Sequence, residues 1–372
     1  APELVVNVLA SFKGANDIAL GNIIGSNIFN LLFILGIAGL IYPIAVHRNT
    51  VWREIPYSMF AALVVLLMAN DVFLDGNDNN IIFNNNISAA GSNLPQNCIF
   101  SSGSNATIDN SGNSVTGNNI SDFFLASGAS NGMLITGNNS NWTISNNKIF
   151  QTASRTYTNS NTHNGISITS GSGYTINGNT IGYATAGGTG TYTMLSSNAA
   201  RYIGISISAG TTTATSSIQG NTVTAISLNT SSGANASNGV LCGINILGAT
   251  NANVGNITPN IIGGSSGTGL LTAIPTSSQG TIVGINSSST GSVIIQSNII
   301  GGLTATGTTA AIAGGLIGIN CSGIAASMTI TGNTIGNSTA ENMRAGTTVL
   351  TTGSSIATGI NLASTPTILN VT

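Results

Sequence analysis

The tetrapeptide Gly-Asn-Thr-Ile at residues 178–181 recurs unchanged at residues 332–335. Looser copies, in which asparagine is followed two residues later by isoleucine or valine, bring the number of repeats to seven. Their asparagines are Asn118, Asn147, Asn179, Asn221, Asn260, Asn298 and Asn333. The spacings are 29, 32, 42, 39, 38 and 35 residues, as in a solenoid whose insertions fall in loops. The motif predicts about seven or more stacked coils.

A second motif, Gly-Ile-x-Ile or a close variant, keeps pace with the first. Its first isoleucines are Ile166, Ile205, Ile244, Ile285, Ile319 and Ile360. Apolar residues alternate with Ser, Thr and Asn in these segments, which is the period of a half-buried strand. Stacked coils would place equivalent isoleucines above one another in a core. Each repeat is therefore expected to hold at least two short strands.

Together these motifs resemble the right-handed parallel β-helix of pectate-lyase-like proteins and of many bacterial surface proteins. The resemblance covers roughly residues 80–372 and implies an all-β solenoid. An asparagine that recurs at one position suggests a ladder of side-chain amides at a turn, because asparagine tolerates left-handed backbone and can bond to its own copy in the next coil. The repeated asparagines are therefore predicted to be structural.

The residues before the repeats have a different character. Apolar runs at about residues 17–42 and 54–70 are each expected to cross a bilayer, and residues 2–12 read as part of a further helix. Arg48 and Arg53 lie between the two spans, so the positive-inside rule places that loop in the cytoplasm. The sequence thus predicts a transmembrane α-helical segment at 1–76 and an extracytoplasmic β-helix at 77–372.

Residues 1–6, APELVV, and residues 17–36, DIALGNIIGSNIFNLLFILG, are similar to the first α-repeat of the sodium/calcium exchanger family. Its members carry a Pro-Glu pair and a GN-x-x-GSN-x-x-N signature. The resemblance implies that Glu3, Ser26 and Asn30 coordinate a cation. A carboxylate in an apolar segment is costly unless it serves an ion path, and such oxygen ligands suit Ca²⁺ or Na⁺.

Exchangers of this kind are inverted repeats with the ion site at the repeat interface, and no second Pro-Glu and GSN repeat occurs in residues 77–372. We therefore expect a truncated repeat that holds half a cation site and does not transport alone. One alternative is a functional calcium or cation antiporter subunit that pairs with a second repeat. The bilayer is the expected partner of residues 1–76.

Charge limits what the β-helix could do. Charged residues are 4% of the chain and the net charge is −2, so nucleic acid is not an expected partner. After residue 76 the acids are Asp78, Asp109, Asp122 and Glu341. A cluster of Asp122, Lys148 and Arg155 is conceivable, but we interpret these as separate surface charges. We predict no catalytic residue and no required cofactor; a β-helix carbohydrate-active enzyme is the second alternative.

The remaining interpretation is a binding module or scaffold. Tyr174, Tyr183 and Tyr192 are expected on an elongated polar face suited to carbohydrate or to a surface protein. The three cysteines show no paired spacing and are predicted to be free. The chain opens Ala-Pro-Glu with no initiator methionine and changes character abruptly near residue 76, which also fits a chimera formed by gene truncation or sequence assembly.

Overall fold

The chain divides into two compact units, Ala1–Asn70 and Asp71–Thr372. The computed structural model describes most of the second unit and little of the first. The described residues are 37, 57, 60, 77–89, 91–105, 108–210, 214–231, 238–277, 279–306, 314–346, 355–364 and 366–372.

In the first unit, three residues are described: Ile37, Tyr57 and Phe60 are helical and exposed. The remainder of the segments predicted to be membrane helices lies outside the described residues. Within the described part of the chain, no helix has the length and apolar character that crossing a bilayer requires.

Parallel strands make up the second unit. Four sheets, which we call A, B, C and D in the order in which the chain passes through them, contribute to each complete coil. Every strand pairs in parallel with the strand of the same sheet in the neighbouring coil. Sheet A contains Ile81–Phe83, Ser114–Thr116, Thr143–Ser145, Thr175–Asn177, Ser216–Gln219, Ala252–Val254, Ser292–Gln296, Ser327–Thr331 and Leu369–Val371. Sheet B contains Asn86–Ile87, Asn119–Ser121, Lys148–Phe150, Thr180–Gly182, Thr222–Thr224, Ile261–Gly263, Ile299–Gly301 and Thr334–Ile335.

The other half of each coil is built by sheets C and D. Sheet C contains Arg155–Tyr157, Tyr192–Ser196, Ile226–Thr230, Leu271–Pro275, Leu303–Ala305 and Met343–Ala345. Sheet D contains Asn97–Ser101, Ser130–Ile135, Thr162–Ile168, Arg201–Ala209, Leu241–Gly248, Gly280–Ser287, Gly314–Cys321 and Ile356–Leu362. A short pair, Asn110–Ser111 with Asn139–Ser140, lies between sheets D and A. The predicted parallel solenoid, consistent with a β-helix, is confirmed.

Columns of isoleucine form the core, as the repeats predict. In sheet A, Ile176 pairs with Ile144 on one side and Ile218 on the other, and all three are fully buried. Sheet D stacks the isoleucines of the second motif in the same manner, with Ile205 between its copies from the preceding and following coils. Since inward positions alternate with outward ones along a strand, the apolar side chains fill one continuous interior.

The glycine of the second motif is required by a close approach between sheets. A Cβ atom at Gly243 would lie 2.5 Å from the carbonyl oxygen of Gly284 and 2.6 Å from Cγ2 of Ile262. Ile262 belongs to sheet B, so the sheet B isoleucines pack directly on the glycine backbone of sheet D. The same steric conflict recurs at Gly204 and Gly318. The column of glycines therefore sets how closely these two sheets pack.

We predict that Gly243→Ala destabilises the β-helix by about 1–3 kcal/mol, because the added methyl group overpacks the junction between sheets B and D. The midpoint of urea unfolding, followed by far-ultraviolet circular dichroism, should fall. Gly137→Ala is the matched control, because a Cβ atom there meets nothing within 4 Å. Equal midpoints for the two variants would contradict the close-approach explanation.

Candidate functional site

The ligands predicted for a cation, Glu3, Ser26 and Asn30, lie outside the described residues. Among the described residues, no group of three or more His, Cys, Asp or Glu side chains is placed to hold a metal ion.

The repeated asparagines form a continuous ladder at the turn between sheets A and B. The backbone N–H and the side-chain amide of Asn179 donate to Oδ1 of Asn221, at 3.0 and 2.9 Å. The same amide donates to the carbonyl of Ile144, at 2.8 Å. This arrangement satisfies both amide protons and the turn N–H without water. Related bonds join all seven asparagines named by the motif.

The ladder extends one coil further than the motif search indicated. Asn85 donates from its backbone N–H to Oδ1 of Asn118, at 2.8 Å. Residues 85–87 read Asn-Asn-Ile, the same spacing as in the later coils. The signal was therefore present, but the run of three asparagines at residues 84–86 allows more than one alignment.

A second amide ladder runs along sheet D. The amides of Asn286, Asn320 and Asn361 each donate to Oδ1 of the asparagine in the preceding coil, at 2.7–2.8 Å. The first acceptor is Asn245, and the four occupy one register position. The Gly-Ile-Asn tripeptide of the second motif is the sequence signal for this ladder. These asparagines are hydrogen-bonded to one another and are largely unavailable to a ligand.

Of the three charged residues considered as a cluster, Asp122 and Arg155 form an ion pair. Nη2 of Arg155 lies 2.5 Å from Oδ1 of Asp122, and Nε of Arg155 donates to Oε1 of Gln151 at 2.7 Å. The hydroxyl of Thr152 also donates to the Asp122 carboxylate, at 2.9 Å. Lys148 instead lies exposed on sheet B and makes no ion pair with a described residue. The ion pair between Asp122 and Arg155 links the end of a sheet B strand to the start of a sheet C strand in the next coil.

A buried histidine lies behind this corner. His163 is fully buried, with Nδ1 2.9 Å from the Tyr157 hydroxyl and Nε2 hydrogen-bonded to the Tyr192 hydroxyl. Its ring stacks between Phe123 and Tyr202, with centroids at 4.9 and 5.8 Å. Burial, followed by the positive charge of nearby Arg155, lowers the pKa of His163 to about 3. The imidazole is therefore neutral at physiological pH and bridges two tyrosines.

The tyrosines expected on a binding face occupy different environments, and for two of the three the prediction is wrong. Tyr174 and Tyr192 are fully buried. The Tyr174 hydroxyl donates to backbone carbonyls inside the solenoid, and Tyr192 begins a sheet C strand with its ring against His163. Both rings point inward because the core between these coils is wide enough to need aromatic side chains. Tyr183 alone of the three is partly exposed.

A shallow groove on sheet B contains Tyr183. Its volume is about 320 Å³, and Lys148, Phe150 and Thr180 form its floor. The backbone φ of Tyr183 is 63°, in the left-handed region that bulky residues rarely adopt. The corner between sheets B and C imposes this conformation, because Ala225 has a φ of 52° at the same corner one coil later. The groove combines an ammonium, an aromatic ring and hydroxyls.

The other three acids of residues 77–372 are each hydrogen-bonded. Asp78 accepts from the Ser111 backbone N–H, Asp109 from the Ser140 hydroxyl, and Glu341 from Arg344. The three cysteines are free, as predicted, and burial raises the pKa of the Cys242 thiol to about 12. A thiol with such a pKa is not a nucleophile at neutral pH.

Comparison with known proteins finds a family match for the N-terminal residues of the chain. Residues 1–83 match the sodium/calcium exchanger protein family. The sodium/calcium exchanger MaX1 of Methanosarcina acetivorans is 46% identical over 66 residues, which are 18% of this chain and 19% of that protein. The inner membrane protein YrbG of Escherichia coli is 41% identical over 75 residues, 20% of this chain and 22% of that protein. The putative antiporter CaxA of Alkalimonas amylolytica is 44% identical over 68 residues, 18% and 21% respectively.

These matches confirm the resemblance inferred for the N-terminal segment. The chain spans about a fifth of the length of the curated relatives it matches. No solved structure matches the chain.

We predict that stability falls as the pH drops from about 6.5 towards 3. The unfolded chain binds a proton at His163 below pH 6.5 and the folded chain does not, so unfolding is favoured by roughly 1.4 kcal/mol per pH unit in this window. Urea midpoints at pH 7.0 and 5.5 measure the effect. His163→Phe keeps the ring stacking, lowers the midpoint at pH 7.0 by orphaning the tyrosine hydroxyls, and should remove most of the pH difference.

The only other histidine, His47, supplies the control. His47→Gln should retain the full pH difference in the β-helix transition. If His163→Phe also retains it, the buried histidine is not its source.

Proposed function

We propose that residues 1–76 are an exchanger-type α-repeat carrying half of a cation site. We further propose that residues 77–372 are a non-catalytic β-helix acting as an extracytoplasmic scaffold or binding module. The membrane character of the curated relatives supports the first part. One observation carries the second: each of the four acids in residues 77–372 is already bonded to a neighbour within the β-helix.

The half-site consists of the Glu3 carboxylate, the Ser26 hydroxyl and the Asn30 amide oxygen. These are hard oxygen donors, which favour Ca²⁺ or Na⁺. A complete exchanger site lies between two inverted repeats, and the sequence that follows this repeat supplies strands rather than a second bundle of helices. Three ligands from one repeat leave much of the ion's coordination shell to water. The chain alone is therefore expected to bind a cation weakly and not to exchange it.

The binding role of the β-helix is supported by the groove on sheet B. Tyr183 offers aromatic surface for the apolar face of a sugar ring, and Thr180 and Lys148 offer hydrogen-bond donors. A short saccharide is the class of ligand that this combination suits best; a surface protein remains the other candidate partner.

Glycoside hydrolysis requires two carboxylic groups flanking one bond, and lyase chemistry requires acids that bind Ca²⁺ beside a base. Asp122, the acid nearest to other charges, is neutralised by Arg155. The other three acids of the β-helix have separate partners. We therefore propose binding without turnover.

Transport is tested with the full chain in proteoliposomes that carry a sodium gradient. We predict ⁴⁵Ca²⁺ uptake equal to that of empty vesicles and equal to that of a Glu3→Gln variant. The sodium/calcium exchanger MaX1, reconstituted in parallel, validates the gradient. Uptake that Glu3→Gln abolishes would show that two copies complete a site between them, which is the antiporter alternative.

Catalysis is tested by incubating the full chain in detergent with neutral and acidic polysaccharides. We predict no release of reducing ends and no unsaturated product absorbing in the near ultraviolet. Retention of a polysaccharide that Tyr183→Ala weakens, without any product, would support the binding role. Product formation that an Asp122→Asn variant abolishes would instead establish the β-helix as an enzyme.

A further inference from the structure

The first coil carries large apolar side chains that point outward. Ile81 is 73% exposed, Phe83 63% and Phe100 60%. Ile82 and Ile99, their neighbours on the same strands, point towards the core and are half-buried or buried. The three exposed side chains therefore belong to the outer perimeter of the coil and are not core residues left uncovered at an end.

Later coils do not keep this apolar perimeter. In register, Ile81 pairs with Ser114 and Phe83 with Thr116, and the next coil again carries Thr143 at the first position. Phe100 pairs with Leu134, which is partly buried. Its column continues as Ser167, Ser206, Asn245 and Asn286. The sheet geometry tolerates polar residues at all three positions, so the apolar residues of the first coil are not required by the fold.

At the opposite end of the β-helix, four exposed apolar side chains are core residues that no further described coil covers. Ile360, Leu362, Leu369 and Val371 are also exposed, at 38–44%. Each of them pairs with a buried core residue of the preceding coil, such as Ile360 with Ile319 and Leu369 with Met328. These side chains continue the core columns. Leu195 and Ile257 are exposed apolar residues on later coils, but the first coil carries three such residues on its strands.

We propose that this perimeter, Ile81, Phe83 and Phe100, is a lipid-contacting surface that seats the first coil in the headgroup region of a bilayer. The inference rests on the proposed membrane segment, because Ile81 follows the predicted span at 54–70 by eleven residues. Phenylalanine and isoleucine partition into the boundary between headgroups and acyl chains. Asp78 is the sole charged residue between positions 77 and 108, so little electrostatic cost opposes this contact.

A bilayer suits the perimeter better than a protein partner would. Ile81 and Phe83 lie on sheet A and Phe100 lies on sheet D, so they occupy different sides of one coil. A compact protein docking on one side would reach only some of them. A membrane plane perpendicular to the solenoid axis meets the whole perimeter at one depth. The asparagines between them, including Asn80 and Asn86, are suited to bond with headgroups and water at that depth.

The test uses the full chain in phosphatidylcholine vesicles with brominated acyl chains, which quench tryptophan at short range. Trp52 and Trp142 are replaced by phenylalanine, and a single tryptophan is returned as Phe83→Trp or Phe100→Trp. Ile257→Trp is the control, because Ile257 is 78% exposed but lies several coils away. We expect roughly twofold quenching at the first two positions and none at the third. Flotation with vesicles after alkaline extraction reports anchoring separately.

The outcomes separate this inference from the proposed function. Anchored protein without quenching at positions 83 and 100 overturns the inference and leaves the membrane segment intact. Equal quenching at 257 also overturns it, since the solenoid would then lie along the bilayer. If the protein does not float with the vesicles, the proposed membrane anchoring is wrong and the inference fails with it. A further variant, Ile81→Ser with Phe83→Thr, copies the second coil; it should fold normally and reduce the quenching of Phe100→Trp.

Discussion

Parallel stacking of coils places each residue directly against its own copy in the neighbouring coils, and the rest of the β-helix depends on this constraint. With coils about 4.8 Å apart, a column of identical side chains is stable only if its members pack against or bond to one another. Isoleucine does so by van der Waals contact and asparagine by donating its amide to the next Oδ1. Charged residues cannot, because like charges at this spacing repel. Columns of like charge are therefore disfavoured, and Lys148 lies between the uncharged Asn119 and Thr180.

The two asparagine ladders use the same side-chain amide for different hydrogen bonds. At the turn between sheets A and B, Asn179 and its copies satisfy both a turn N–H and a carbonyl of the preceding coil. Along sheet D, the amides of Asn286, Asn320 and Asn361 each donate to the asparagine of the preceding coil. The first ladder fixes backbone that would otherwise be unsatisfied in a buried turn. The second adds side-chain bonds to strands whose backbones are already paired.

Much of this arrangement is readable from sequence because a solenoid makes spatial neighbours out of sequence repeats. The asparagine turn, the isoleucine columns and the parallel strands are encoded by short motifs that survive changes in spacing. The positions of Tyr174 and Tyr192 are not encoded in this way. Both nevertheless precede an inward residue of their strand by two positions, Ile176 and Met194, so the period of two predicts that they point inward. The asparagine and Gly-Ile motifs do not include them, which is why the prediction from those motifs missed this phase. Whether Asp122 meets Arg155 or Lys148 likewise depends on the shape of one corner. For Glu3, Ser26 and Asn30 the evidence is the family motif alone.

If residues 1–76 form the proposed membrane helices, the two pieces of the chain satisfy their backbones in different ways. A membrane helix closes all its hydrogen bonds within itself, whereas a coil of the β-helix needs a neighbour on each side. Among the described residues, the strand at Ile81–Phe83 is the first of sheet A and pairs on one side, with Ser114–Thr116. Its outer N–H and C=O groups need water or headgroups, because an unpaired strand edge is not stable in hydrocarbon. Apolar side chains such as Phe83 favour approach to the bilayer while the open edge opposes entry. On our proposal, the balance of these two effects keeps the first coil at the interface and out of the acyl region.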